Sequence, residues 1–117
     1  MPIIIPQQKL DKLKVSSEGN TVFFKGEIIS LNPESALKPI FESIRKQINK
    51  ESIKEILFDI SKLIFMNSSG ISCFVDFILD LAPDEKLLIK TDLKKPYQER
   101  AINVFKSLND KSVELVK

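Results

Sequence analysis

Histidine is missing from this sequence altogether, which removes imidazole acid–base chemistry and imidazole metal sites. Cysteine is nearly missing. Cys73 stands alone, so neither an internal disulfide nor a thiolate metal cluster can form, and a reducing cytoplasm is the expected compartment. Glycine is scarce: Gly19, Gly26 and Gly70 are too few to build the glycine-rich loop that cradles phosphates in nucleotide-binding folds. Long apolar runs are absent as well. Met1 to Pro6 is apolar but too short for a signal peptide or a membrane span, and no later stretch approaches the roughly 20 residues that a span needs. No direct membrane insertion is expected. Neither sign of charge dominates, with 18 basic residues against 16 acidic ones and a formal net charge of +2. That balance, without a dense Lys/Arg block, argues against nucleic acid as a partner. Lys94-Lys95 and the interrupted series from Lys9 to Lys14 read as solvated surface.

What is present is an ordinary globular composition, 43% hydrophobic and 29% charged over 117 residues, which fits one domain around one core. No internal repeat, low-complexity tract or linker interrupts it. Residues 1 to 8 read as a tail or an edge strand, since Pro2 and Pro6 restrict what Ile3 to Ile5 can pair with. Leu13 and Val15 alternate with Lys12 and Lys14 as a strand. Ser16 to Asn20 is a turn cluster, and Thr21 to Lys25 returns as the hairpin partner. Asn32-Pro33 has the form of a helix start, but Pro39 predicts a short helical turn followed by a main helix from about Pro39. That helix carries Ile40, Phe41, Ile44 and Ile48 on one face, with Glu42, Arg45, Lys46 and Asn49 towards water.

Ile53 to Asp59 reads as a buried strand. The apolar run Leu63 to Met66 follows. Ile71, Phe74, Val75, Ile78 and Leu79 then recur at helical spacing in a helix ended by Pro83. Leu87 to Thr91 is another buried strand. Pro96 opens a last helix with Tyr97, Ala101, Val104, Phe105 and Leu108 on one face, and Val113 to Val116 can close the sheet. Strands alternating with helices imply parallel pairing, and the hairpin adds an antiparallel element. The expected fold is therefore α/β, a mixed sheet of four to five strands with helices packed mainly on one face. Phe23, Phe24, Phe58, Phe65 and Phe105 read as core, and Cys73, beside Phe74 and Phe77, as a small buried hydrophobe.

One constellation carries functional information. Asn67-Ser68-Ser69-Gly70 lies where a buried strand meets the start of a helix, the place where open α/β sheets put their functional loops. The plain reading is that Asn67 or Ser68 caps the helix. Down the same helix run Ser69, Ser72, Asp76 and Asp80, the last three at i, i+4 and i+8. These form either a solvated face or an acidic docking stripe. The solvated face is the plainer reading; like charges four residues apart cost only a few tenths of a kcal/mol, a small argument for a partner.

The stretch Phe58 to Ile71, and above all Phe65-Met66-Asn67-Ser68-Ser69-Gly70, resembles the signature of STAS domains, in particular the bacterial anti-sigma-factor antagonists. Gly26-Glu27 after the second strand and the final helix followed by a short strand fit the same pattern. The likeness extends from about Lys9 to Val116. It implies a STAS-like fold and partner switching without catalysis or a cofactor. The unmodified protein binds an anti-sigma factor or a switch-protein serine kinase; phosphorylation of the first motif serine, here Ser68, releases it; a PP2C-type phosphatase resets it. Asn67, Ser69, Gly70, Ser72, Asp76 and Asp80 would form the partner surface around Ser68.

Two departures stand out. Asn67 replaces the Asp that usually precedes the acceptor, which keeps the cap but loses the charge, and Ile28-Ile29 stand where an acidic residue usually follows Gly26-Glu27. A STAS-like scaffold or sensor subunit that is never phosphorylated is the alternative. A small enzyme built on Asp59 and lysines at the sheet edge is the third, disfavoured by the missing histidine and phosphate loop.

Overall fold

The computed structural model describes residues 3–5, 12–29, 34–92, 96–108 and 112–116. Among the described residues it contains six strands and three helices: β1 (Leu13–Glu18), β2 (Thr21–Ile28), α1 (Glu34–Glu51), β3 (Glu55–Asp59), β4 (Leu63–Met66), α2 (Ser68–Leu79), β5 (Lys86–Lys90), α3 (Pro96–Leu108) and β6 (Val113–Val116). The sheet runs β1-β2-β3-β5-β6, with β4 also paired to β2. Only β1 and β2 pair antiparallel; the other pairs are parallel, as helical crossovers require. The α/β class and mixed sheet are those expected, with one strand more than the upper count. The sixth strand is β4, the four-residue run that leads into the Asn67–Gly70 motif.

Alternation explains the layering. Leu13 and Val15 of β1, Val22 and Phe24 of β2, Ile56 and Phe58 of β3, and Leu87 and Ile89 of β5 are buried, while their neighbours face outward. The helices cover that one buried face. Phe24, Phe41, Phe58, Phe74, Phe77 and Phe105 stack or meet edge to face beneath them, with ring centroids 5.1 to 6.2 Å apart. Phe23 lies half-buried on the open face and Phe65 is exposed, so neither belongs to the core as expected.

Several local expectations change. β1 continues through Glu18, leaving Gly19-Asn20 as a tight turn in which Gly19 adopts φ +59°. Helix α1 runs straight through Pro39 instead of restarting there. The proline removes one backbone donor near the helix start, while Leu37, two residues before it, is fully buried. Burial of a leucine contributes about 1.5–3 kcal/mol, comparable with the cost of the proline. Asn32 and Pro33 lie outside the described residues, as does the side chain of Tyr97. Ile3 is buried. Its N–H donates to the Gly19 carbonyl at 2.8 Å, and Ser17 Oγ donates to its carbonyl at 2.6 Å. Residues Ile3 to Ile5 thus form no strand; Gln47 of α1 clasps both backbone groups of Ile4 at 2.7 Å. In α3, Gln98, Ala101, Ile102 and Phe105 are buried, whereas Val104 and Leu108 point outward, so the inward face is rotated from the expected stripe.

Candidate functional site

The end of β2 places the motif. Gly26 adopts φ +105°, a region that L side chains rarely enter, and the strand register slips between Gly26 and Glu27. Both Gly26 and Glu27 then donate out of the regular ladder, to the carbonyls of Lys62 (3.3 Å) and Lys12 (2.7 Å). A Cβ at Gly26 would overlap the Lys12 carbonyl. The bulge lets one strand pair with β3 along its first half and with β4 along its second. The Gly26-Glu27 pair, known from sequence only as a likeness, therefore has a physical task.

A second device sets the β3–β4 junction. Asp59 Oδ1 accepts from the Ser61 N–H (2.9 Å) and the Ser61 hydroxyl (2.6 Å), closing a side-chain turn at the end of β3. Gln98, wholly buried on α3, donates to the carbonyls of Ile60 (2.9 Å) and Leu63 (3.1 Å) and accepts from the Asp92 N–H (2.8 Å). Asp59 is thus engaged in turn geometry. Sequence reasoning missed Gln98, since a glutamine in an amphipathic helix looks like surface.

From β4 the chain enters the motif. Asn67 N–H donates to the Ile28 carbonyl at 2.9 Å, tying the motif to the end of β2. Asn67 is the N-cap of α2; its Oδ1 accepts from the Gly70 N–H at 2.9 Å. Ser68 is the first helical residue and is exposed, Ser69 is half-buried, and Gly70 is buried against β2 and β4. A Cβ on Gly70 would come within 2.7 Å of Ile28 Cγ2 and 2.9 Å of Met66 Cγ. Ser72 donates its hydroxyl to the Ser68 carbonyl at 3.1 Å. The helix starts three residues earlier than the apolar periodicity indicates, because capping and not hydrophobicity sets its first turn.

Of the expected surface residues, Ser68, Ser72, Asp76 and Asp80 are exposed and follow one another at four-residue steps. Asp80 is the C-cap of α2, and its carboxylate lies 3.8 Å from Arg45 Nε. Arg45, expected to face water, is half-buried. It grips Glu85 with two hydrogen bonds of 2.7 and 2.9 Å, and Glu85 Oε1 also accepts from the Ala82 N–H at 2.8 Å. Burial of the Glu85 carboxyl opposes its ionisation, but the Arg45 guanidinium and the Ala82 N–H outweigh this and hold its pKa below the ordinary range. The buried face of α2 is Gly70, Cys73, Phe74, Phe77 and Ile78. Leu79, expected in the apolar stripe, is exposed instead.

Large apolar side chains are exposed on the strands that lead into the motif: Ile29 just beyond β2, and Ile64 and Phe65 on β4. Phe65 stands beside Glu27 in the ladder. Two successive residues, Ile64 and Phe65, are both exposed in a strand that pairs across the register shift, which no period-two pattern would indicate. The arrangement offers an exposed serine at a helix N-terminus, continued by an acidic row down the same helix. Among the described residues, no group of three carboxylates or thiols is placed to hold a metal ion, and no helix is long and apolar enough to cross a membrane. No protein-family model matches the chain, and no curated protein matches it.

Proposed function

We propose that this chain is a regulatory protein-binding domain resembling the STAS anti-sigma-factor antagonists. It acts in the cytoplasm by partner switching, without catalysing a reaction itself. The observation that carries this reading is the exposed hydroxyl of Ser68 at the first position of α2, held in place by the Asn67 cap and the packed Gly70. The unmodified surface binds an anti-sigma factor or switch-protein serine kinase. Phosphorylation of Ser68 ends that contact, and a PP2C-type phosphatase restores it.

The physics of such a switch is local. A phosphate adds a charge of roughly −1.5 to −2 near neutral pH. The unpaired N–H groups and dipole of a helix N-terminus favour that charge, so the domain accepts it without refolding. The interface does not, because a bulky dianion would be buried there against groups placed for a hydroxyl. Incubation with ATP, Mg²⁺ and a candidate switch-protein serine kinase from the same genome tests the reading. The expected result is one phosphoryl group on Ser68 and loss of kinase binding; an unmodified chain that binds no such protein would refute it.

A second reading, a scaffold or sensor subunit that binds without phosphorylation, is favoured by one observation. Asn67 supplies the cap without the charge of the usual Asp. Retained partner binding with no phosphate on any residue would select it.

A further inference from the structure

The helices cover one face of the sheet and leave the other open. Strands β2, β3, β5 and β6 pair in parallel, and parallel sheets are ordinarily covered on both faces. On the open face Phe23, Leu57 and Leu88 stand half-buried on the three central strands. Beside them, charge is sorted along the β1–β2 hairpin. Lys14 and Glu18, both exposed, lie two residues either side of Ser16. Lys25 and Thr21 lie two residues either side of Phe23, the ladder partner of Ser16. Lys14 is directly opposite Lys25, and Glu18 directly opposite Thr21, so one end of the hairpin face is doubly basic and the other acidic. Like charges directly opposite in a sheet are destabilising, and the lysine pair gains from a carboxylate brought to it. Elsewhere on the face acids and bases are already neighbours. Asp59 is opposite Lys90 in the Phe23 row, and Lys86 is opposite Glu55 and bonds Glu114 at 3.3 Å. Beyond the lysine pair, Lys12 and Glu27 add one charge of each sign.

We infer that the open face pairs with the same face of a second copy of this chain, about a two-fold axis that crosses the strands at Ser16 and Phe23. A two-fold contact sets one patch against itself, so whatever lies a given distance on one side of the axis meets what lies the same distance on the other. Here the arms are equal: two residues, roughly 6–7 Å of strand, separate Ser16 from Lys14 and from Glu18. The rotation therefore carries Lys14 of each copy onto Glu18 of the other. It carries Lys25 onto Thr21, beside that same Glu18, and brings the two Phe23 rings together at the axis. Leu57 and Leu88 come under cover of the partner sheet. A partner of a single charge would match one end of the hairpin face and oppose the other; a second copy matches both ends, twice. The helices lie on the opposite side of the sheet, so this pairing leaves α2 and Ser68 free and does not depend on the switching reading.

Sedimentation equilibrium of the full chain over a concentration series tests the pairing. The expected result is a concentration-dependent dimer that weakens as salt rises. Lys14→Glu and Glu18→Lys alter exposed positions, are expected to keep the wild-type circular dichroism spectrum, and each set like charges across the axis. Each is expected to weaken the dimer about tenfold or more. Mixed in equal amounts, the two variants are expected to recover association as a heterodimer, because each supplies the charge that the other now needs. The double variant, with both charges exchanged in one chain, is expected to recover it as well. Leu79→Glu, at an exposed position of α2 on the helix side, serves as control and is expected to dimerise like the wild type. A chain that stays monomeric up to about 1 mM would overturn the inference. So would a dimer indifferent to both single variants, a mixture that recovers no association, or a dimer that Leu79→Glu dissociates.

Discussion

Asn67 Oδ1 accepts a hydrogen bond from the Gly70 N–H at 2.9 Å, and this one contact joins the cap of α2 to the glycine that packs it on the sheet. The first turn of the helix is thereby fixed from both sides, leaving Ser68 outermost. Asn67→Ala is expected to cost about 1 kcal/mol of stability, the usual worth of an N-cap. Asn67→Asp keeps the cap, adds a charge that the helix terminus favours, and is expected to be neutral or stabilising by up to about 1 kcal/mol. Urea denaturation of the two variants checks both signs; equal destabilisation by both would contradict the assigned cap.

Gly70→Ala sets two effects against each other. Alanine is preferred over glycine in a helix by about 1 kcal/mol, but its Cβ would press on Ile28 Cγ2 and Met66 Cγ, and overpacking of a tight core costs about 1–3 kcal/mol. Net destabilisation is expected, together with weaker partner binding as the motif is pushed outward. Gly26→Ala is the harsher change, because φ +105° and the Lys12 carbonyl both resist a side chain. A loss of about 3 kcal/mol or more is expected there, enough to unfold much of a small domain. Thermal denaturation ranks the two; a Gly70→Ala protein more stable than wild type would show that glycine to be incidental.

Arg45 and Glu85 make stability depend on pH. The folded-state pKa of Glu85 lies below its ordinary value of 4.5, so its contribution is fully present above that value and disappears as pH falls through the lower folded-state value. Glu85→Gln is expected to flatten this part of the acid limb of a stability–pH curve. Arg45→Ala leaves the carboxylate buried beside only the Ala82 N–H and is expected to cost about 3 kcal/mol at neutral pH, less in acid. An Arg45→Ala penalty independent of pH would contradict this reading.

Gln98 gives a fourth stability test. Gln98→Leu removes the donor shared by the Ile60 and Leu63 carbonyls and the acceptor of the Asp92 N–H. A cost of about 2–3 kcal/mol is expected from polar groups left buried, with faster amide hydrogen exchange along β4. Protection of β4 unchanged from wild type would place the β3–β4 junction under other control.

The sheet and its helices were largely legible because burial imposes periodicity. Ile40, Phe41, Ile44 and Ile48 mark α1, and Leu13 and Val15 mark β1, by spacing alone. Errors arose where spacing is not the deciding force. Capping moved the start of α2 back to Ser68, and core contact by Cys73 and Phe77 left Leu79 outside. Helix α1 continues through Pro39 with Leu37 buried, and in the β2–β4 register shift Ile64 is the extra residue opposite Gly26-Glu27, so that Ile64 and Phe65 are both exposed. Within the candidate site, the cap and the acidic row could be read from residue type and spacing. The clasp of Arg45 on Glu85, 40 residues apart, and that of Gln98 on Ile60 and Leu63 could not, since nothing local records a long-range polar contact.

The most direct test of the central claim is phosphosite mapping by mass spectrometry after reaction of the full chain with ATP, Mg²⁺ and a candidate switch-protein serine kinase from the same genome. Ser61 and Ser72 already donate their hydroxyls to Asp59 Oδ1 and the Ser68 carbonyl, Ser69 is half-buried, and Ser68 is exposed. One phosphoryl group on Ser68 is predicted, abolished by Ser68→Ala, which then binds the kinase constitutively, and retained in Ser69→Ala. Phosphate on Ser61, Ser69 or Ser72, or none on any residue while the kinase stays tightly bound, would contradict the account.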